Sequence, residues 1–215
     1  ASCICHGMGP WSSLPTNPHM QRILFLLLLS TLLATSTSRA GWERFDGPNG
    51  GTVRDLVVHG GTHFAATEHG LYQSSDGTDW TLVTGLPEVF FNSLASNGSV
   101  VIVGGYSHGV FRSTNGGASW QSVGVTAVND LIWHNGCFYS VNDNRGVRRS
   151  CNDGQSWMDA DPNDQVGNYM QQLGSDGTSL YSIGAGMLFR TNDQGSTWTN
   201  LMSGLPNSAS AVRIG

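Results

Sequence analysis

One eight-residue phrase recurs along this 215-residue chain and restricts its fold more than any other feature. Ser113-Thr114-Asn115-Gly116-Gly117-Ala118-Ser119-Trp120, Ser150-Cys151-Asn152-Asp153-Gly154-Gln155-Ser156-Trp157 and Thr191-Asn192-Asp193-Gln194-Gly195-Ser196-Thr197-Trp198 place a hydroxyl residue, Asp or Asn, Gly, a second hydroxyl residue and Trp at the same offsets. Ser74-Ser75-Asp76-Gly77-Thr78-Asp79-Trp80 is the same phrase with one residue deleted. Trp80, Trp120, Trp157 and Trp198 are spaced by 40, 37 and 41 residues. A period near forty residues marks a stack of supersecondary units, each too small to bury a core alone.

Upstream of each Trp the chain carries a leucine and then a turn pair: Leu56 before Gly60-Gly61, Leu94 before Asn97-Gly98, Leu131 before Asn135-Gly136, Leu173 before Asp176-Gly177. Such pairs supply the positive φ angles of tight hairpin turns, so each predicts a strand reversal. Short strands are expected at 63–67, 100–103, 137–141 and 180–183, and a third of each unit opens at Gly70, Gly109, Gly146 and Gly186. The recurring phrase then turns the chain into a fourth strand starting at the Trp. Four short antiparallel strands per forty residues, without helical periodicity, describe a propeller blade.

The phrase resembles the BNR or Asp-box repeat of sialidases, sortilin-type receptors, xyloglucanases, the photosystem II assembly factor and secreted bacterial propellers. The resemblance covers residues 41–215, and it implies an all-β propeller of four-stranded blades while leaving the chemistry open, because the box occurs in all these families. Its side chains have structural work to do. Asp76, Asn115, Asn152 and Asp193 can accept hydrogen bonds from backbone N–H groups two or three residues on, and Gly77, Gly117, Gly154 and Gly195 take backbone angles other residues resist. Trp80, Trp120, Trp157 and Trp198 can bury their indoles between neighbouring sheets.

Residues 20–40 run from Met20-Gln21-Arg22 through the apolar Ile23–Leu33 to Ser38-Arg39-Ala40. A basic start, a short apolar core and small residues before a cut predict a secretory signal peptide, too short to remain stably inserted in a membrane. Residues 1–19, with Cys3 and Cys5, read as an upstream extension that is not native. Export permits a disulfide between Cys137 and Cys151. With Asp143 paired to Gly146 across the hairpin, the two cysteines fall one residue off register, so a bridge and two free thiols both stay open.

The expected blades are 48–84, 85–124, 125–161 and 162–202, with 203–215 starting a fifth. Trp42-Glu43-Arg44-Phe45 matches the fourth-strand starts, so 41–47 is read as a strand that closes a ring. Four blades plus these partial strands suggest a truncated ring of six to eight blades.

The formal charge is −5, all ten basic residues are Arg and no basic stripe exists, which argues against a nucleic-acid partner held through phosphates. Sialidase chemistry, as the resemblance implies it, needs an arginine triad whose first member lies in an Arg-Ile-Pro or Arg-Leu-Pro motif, and the chain has no Arg-x-Pro. Arg54 could occupy such a position, whereas Arg112 and Arg190 recur before the box and read as structural. A glycosidase needs two opposed carboxylates. The loops offer Glu68, Glu88, Asp143, Asp159, Asp161 and Asp164 without a defined pair. His59 and His134 recur at one repeat position, His69 and His108 at another, which is the mark of structural residues, and no metal or cofactor is expected. The entrance face, built from the turns between second and third strands and from the linkers between blades, presents Glu68, His69, Tyr106, His108, Asp143, Arg145 and Tyr169 as candidate binding residues. Phe90 and Phe91 of the first linker read as packing. The expectation is a secreted, non-catalytic propeller scaffold that binds a polysaccharide or a protein. The alternatives are a glycoside hydrolase of the xyloglucanase or sialidase type, and an assembly factor of the photosystem II stability type.

Overall fold

The computed structural model describes residues 47–48, 51–125, 127–142, 146–167 and 170–202, all within the compact unit Phe45–Gly215. The export segment at 20–40, the extension at 1–19, the closing strand at 41–47 apart from Gly47, and the segment 203–215 lie outside the described residues.

Among the described residues sixteen strands form four four-stranded antiparallel sheets in strict chain order. Blade 1 contains β1 Val53–His59, β2 Thr62–Thr67, β3 Gly70–Ser74 and β4 Thr81–Leu82. Blade 2 contains β5 Ser93–Ser96, β6 Val101–Gly105, β7 Gly109–Ser113 and β8 Gln121–Ser122. Blade 3 contains β9 Asp130–His134, β10 Cys137–Asn142, β11 Gly146–Ser150 and β12 Met158–Asp159. Blade 4 contains β13 Met170–Ser175, β14 Leu180–Gly184, β15 Met187–Thr191 and β16 Thr199–Asn200. First strands lie side by side from β1 to β5, β5 to β9 and β9 to β13. Each fourth strand has two residues and starts one residue after its Trp, because the indole is committed to packing before the chain joins the ladder.

The first hairpins alternate between two forms. His59 pairs with Thr62 and His134 with Cys137, leaving two-residue turns in which Gly60 and Gly61, or Asn135 and Gly136, have positive φ. In blades 2 and 4, Ser96 pairs with Val101 and Ser175 with Leu180, so the expected tight turn is a four-residue loop. There the Asn97 side chain accepts from the N–H groups of Ser99 and Val100, and Asp176 accepts from Thr178 and Ser179. The Asx side chain closes these loops, and only the glycine goes left-handed. The same alternation governs contacts between blades: His59 Nδ1 lies 2.7 Å from Ser96 Oγ and His134 Nδ1 2.7 Å from Ser175 Oγ. The structural repeat is therefore a pair of blades.

Each box closes on itself. Ser74, Ser113, Ser150 and Thr191 donate their hydroxyls to the following Asp or Asn, and each hydroxyl accepts the N–H of the box glycine. In the three full boxes the Asn115, Asn152 and Asp193 side chains accept from Ser119, Ser156 and Thr197, four residues on. Only the shortened box accepts two and three residues on, from Thr78 and Asp79 to Asp76. Trp80, Trp120 and Trp157 donate their indole N–H to the carbonyl of their own box glycine, whereas Trp198 donates to Ala160 of blade 3.

What the local network cannot supply comes from the preceding blade. Gly117 sits on Phe64 and Gly154 on Ile102, where a Cβ would approach within 2.6 and 2.5 Å of the ring and the Cδ1 methyl respectively. The box glycines are thus fixed by contact as well as by positive φ. Trp120 packs on the core of blade 1, edge-on to Phe64, while Trp157 packs on that of blade 2 and Trp198 on that of blade 3. The first-strand leucines follow the same rule: Leu94 lies in the blade 1 core, Leu131 in the blade 2 core and Leu173 in the blade 3 core. Each core is therefore completed by the blade that follows it.

Cys137 and Cys151 form a disulfide with a Cα–Cα distance of 4.2 Å. The expected pairing of Asp143 with Gly146 is off by one residue: Asn142 pairs with Gly146 and Phe138 with Ser150. That register sets the cysteines directly opposite each other at the end of the ladder.

Two measurements follow from this packing. The bridge closes a loop of 14 residues, so its reduction lowers the unfolding free energy by about 3 kcal/mol, read from denaturant titrations with and without reductant. Trp198→Ala costs about 3–5 kcal/mol in the same assay, because a buried indole leaves a cavity. Trp80→Ala costs clearly less, since Trp80 is half-buried and joins none of the three cores among the described residues.

Candidate functional site

In blade 1 the turn between β2 and β3, the start of β1 and the linker into blade 2 come together at one end of the sheet, where β1 carries a register shift that has a counterpart between Met170 and Gln172 of β13. The pairing of β1 with β2 shifts between Val53 and Asp55, leaving Arg54 as the bulged residue. A bulge re-aims a side chain that regular pairing would hold in the pleat. Arg54 Nη2 donates to Glu68 Oε1 at 3.1 Å, and its guanidinium carbon lies 5.0 Å from the centroid of the Phe90 ring. Arginine is thus held between a carboxylate from the β2–β3 turn and an aromatic ring from the linker into blade 2. The Arg54 and Glu68 side chains remain 45% and 33% exposed, so the assembly faces solvent. A hydrogen bond from Thr52 holds the Glu68 carboxyl below its ordinary value, and Arg54 adds to this. Gly51 passes beside it, with space for a Cβ only 3.1 Å from His69 Nδ1 and 3.2 Å from Glu68 Oε2.

Among the expected binding residues, Glu68 and His69 share this cluster, and Tyr106 and His108 are exposed on the β6–β7 turn of blade 2. Asp143, Arg145 and Tyr169 lie outside the described residues. Phe91 is fully buried in the core, while Phe90 serves as the platform under Arg54. Asp161 is buried and accepts from the N–H groups of Gln165, Val166 and Gly167, so it caps its own loop. Arg112 donates to the carbonyl of Asp153 and Arg149 to that of Gln194, each reaching the box of the next blade.

A second feature lies on the inner wall. Asp55 Oδ2 accepts from Leu94 N–H at 2.7 Å, and Asp130 Oδ2 from Leu173 N–H at 2.8 Å, each carboxylate stapling its blade to the next. Ser93 Oγ lies between them, 2.9 Å from Asp55 Oδ2 and 2.8 Å from Asp130 Oδ1. A hydroxyl has one proton, so it donates to one carboxylate at a time. Burial pushes the Asp130 carboxyl above its ordinary value, against the opposing pull of the Leu173, Ser93 and Leu131 hydrogen bonds. Both aspartates line a pocket of about 460 Å³ with Leu94, Gln172, Leu173 and Ser175. The sequence reading did not single out Asp55 or Asp130. The signal available was their shared place in the repeat, one residue before Leu56 and Leu131. No group of three or more metal-ligating side chains is clustered among the described residues.

Four antiparallel four-stranded sheets in chain order, joined through their first strands, make this chain a β-propeller. A family model described as the DUF6242 β-propeller domain matches residues 24–126, a match that begins inside the segment read above as an export signal. No curated protein matches the chain. Similar solved structures include YCF48 from Cyanidioschyzon merolae, with 14% identity, TM-score 0.60, and 75% of this chain covering 59% of that one. YCF48 bound to D1 peptide has 17% identity and TM-score 0.58, with coverage of 74% and 57%. The GH74 xyloglucanase from Xanthomonas campestris has 18% identity and TM-score 0.58, with coverage of 77% and 32%. The chain thus spans less than two thirds of each of these proteins.

The carboxylates give opposite pH signatures. The Thr197 hydroxyl and N–H hold Asp193 down at about 2, so its contribution to stability is present above the unfolded carboxylate value of about 3.9 and is lost as pH falls through about 2. Asp130 is raised, so its contribution is present below that unfolded value and is lost as pH rises through the folded one. Asp130→Asn therefore costs more stability at pH 3.5 than at pH 7, a difference that urea titrations at the two pH values measure.

Proposed function

We propose that this propeller is a secreted, non-catalytic scaffold that recognises a protein segment or a polysaccharide on the face carrying Arg54, Glu68, His69, Tyr106 and His108. The observation that carries the reading is the bulged Arg54, exposed yet already oriented by Glu68 and Phe90. A pre-oriented, exposed guanidinium meets carboxylates, amides or sugar hydroxyls without first losing side-chain freedom. YCF48 bound to D1 peptide supplies the precedent of a similar fold with a peptide partner. Export rests on the apolar segment at 20–40, and no helix among the described residues is long and apolar enough to cross a membrane.

Glycoside hydrolysis is the second reading, favoured by one observation: two aspartates at a pocket, one of them with its carboxyl raised. The occupied state of both groups weighs against it. Each accepts a backbone N–H from the next blade, so turning toward a sugar would break the staple.

A glycan array and a peptide array probed with the purified full-length chain test both readings. The expected outcome is retention of one ligand class, with binding reduced about tenfold or more by Arg54→Ala, the effect of removing a central arginine anchor. Cleavage of a polysaccharide that is lost in Asp130→Asn, with both arrays blank, replaces the scaffold reading by the hydrolase.

A further inference from the structure

Two positions of the repeat fill the junctions between blades, and the junction of blades 2 and 3 departs from the others at both. Two residues before the box hydroxyl stand Tyr72, Phe111, Arg148 and Phe189, and three residues before the first-strand leucine stand Phe91, Val128 and Met170. Between blades 1 and 2, Phe91 and Phe111 meet edge-on at the blade 1 core, with ring centroids 6.0 Å apart. Between blades 3 and 4, Met170 and Phe189 lie in the blade 3 core. Between blades 2 and 3 the same positions hold Val128 and Arg148, a smaller side chain and a charged one. Val147 faces blade 4, so alternation along β11 turns Arg148 toward blade 2.

Packing alone gives no reason for this exchange, because a guanidinium loses more by leaving water than a phenyl ring does. Arg148 is half-buried and makes no hydrogen bond or ion pair among the described residues. The arginines at the next repeat position differ: Arg112 and Arg149 are clamped on the carbonyls of Asp153 and Gln194. Asp159, the partner of Arg148 across the β11–β12 ladder, accepts instead from the N–H of Asp161 in its own loop. Beside Arg148 lies a cavity of about 220 Å³, walled in part by linker residues 123–125 and by Gln155, Ser156 and Trp157 of the blade 3 box. It shares Val123 and Gln155 with a second cavity of about 270 Å³ that reaches Arg112 and Gln121. Together they form a groove where the neighbouring junctions are plugged by rings.

We propose that this groove binds an acidic polysaccharide, with the carboxylate of one sugar unit on Arg148 and the next unit toward Arg112. A guanidinium without a partner matches a carboxylate in planar, two-point geometry. The Trp157 indole offers an apolar surface to a sugar ring, and the Gln155 amide and Ser156 hydroxyl meet sugar hydroxyls, the mixture of aromatic and polar groups that orients a small ligand. The site contains no residue of blade 1, so it is independent of the face carrying Arg54.

Titration calorimetry of the full chain with oligogalacturonate and oligoguluronate, each beside its carboxyl-reduced counterpart, tests this. The expected result is binding of at least one acidic oligomer and of neither reduced one. Arg148→Gln weakens that binding about tenfold or more, the effect of removing a central arginine anchor. Arg148→Phe abolishes it while keeping or raising the midpoint of thermal unfolding, because the ring fills the groove as Phe111 and Phe189 fill the neighbouring junctions; loss of binding is thereby separated from loss of fold. Arg190→Gln, which removes one positive charge from blade 4, leaves the affinity unchanged. A blank with both acidic oligomers, equal binding of the reduced ones, or binding that survives Arg148→Phe overturns the proposal. Binding that survives Arg148→Phe but is lost in Arg54→Ala belongs to the blade 1 face and leaves that reading standing.

Discussion

The structure depends on one contact, the insertion of a first-strand leucine and a box Trp into the core of the blade before. A four-stranded sheet of about twenty ladder residues has two faces and cannot cover both. Phe64 is sealed only when Trp120 and Gly117 arrive from blade 2, and Ile102 only when Gly154 arrives from blade 3. Stability is then additive over junctions instead of residing in a single core. The same logic makes the box a fastening whose sequence reports the junction and not the chemistry. Its Ser or Thr, its Asp or Asn and its Gly complete one another's hydrogen bonds, leaving the Trp to reach the neighbour.

Polar groups repeat the apolar pattern at the inner wall. Asp55 and Asp130 accept from Leu94 and Leu173, while the Asn92 and Asn129 side chains donate to the carbonyls of Val128 and Met170. Each bond ties a blade to its successor by groups that water would otherwise satisfy, and unpaired they would be costly to bury. His134 belongs to the same set. Asn135 Nδ2 donates to its Nε2, so Nδ1 carries the proton and donates to Ser175, and burial pulls the ring's pKa below its ordinary value against the opposing charge of Asp176. His59 and His134 are clamps at the ends of first strands.

What the chain made legible was local, and what it concealed was relational. The box could be read because the hydrogen bonds among its hydroxyl residue, its Asp or Asn and its glycine close within eight residues, and the strand count followed from the spacing of the tryptophans. The acceptor range in the full boxes, four residues instead of two or three, required knowing that the left-handed residue at Gly116, Asp153 or Gln194 lengthens the turn. The cysteine register was missed by one residue because a hairpin of unknown loop length leaves that much slack, and one residue decides whether two side chains face each other. Asp55 finds its partner 39 residues away, a distance no short motif spans. Arg54 was legible only as a position where a substrate-clamping arginine could sit, not as a bulged residue: a bulge inserts a single residue into the alternation, and nothing in Val53-Arg54-Asp55 distinguishes it from a regular strand start.

The two carboxylates on the inner wall also bear on the hydrolytic reading. A general acid must release its proton to a bound substrate and then be tolerated as an anion. Asp130 meets the first condition through its raised carboxyl, and three donors from Ser93, Leu131 and Leu173 would satisfy the anion. Those donors belong to blades 2, 3 and 4, so the geometry that would stabilise the ionised acid is the geometry that holds three blades together. Function at this site and cohesion of the fold would then compete for the same oxygen atoms. Recognition as proposed at the bulged Arg54 would escape that conflict, because Glu68 and Phe90 orient the guanidinium while leaving it exposed, and no junction between blades would have to be given up.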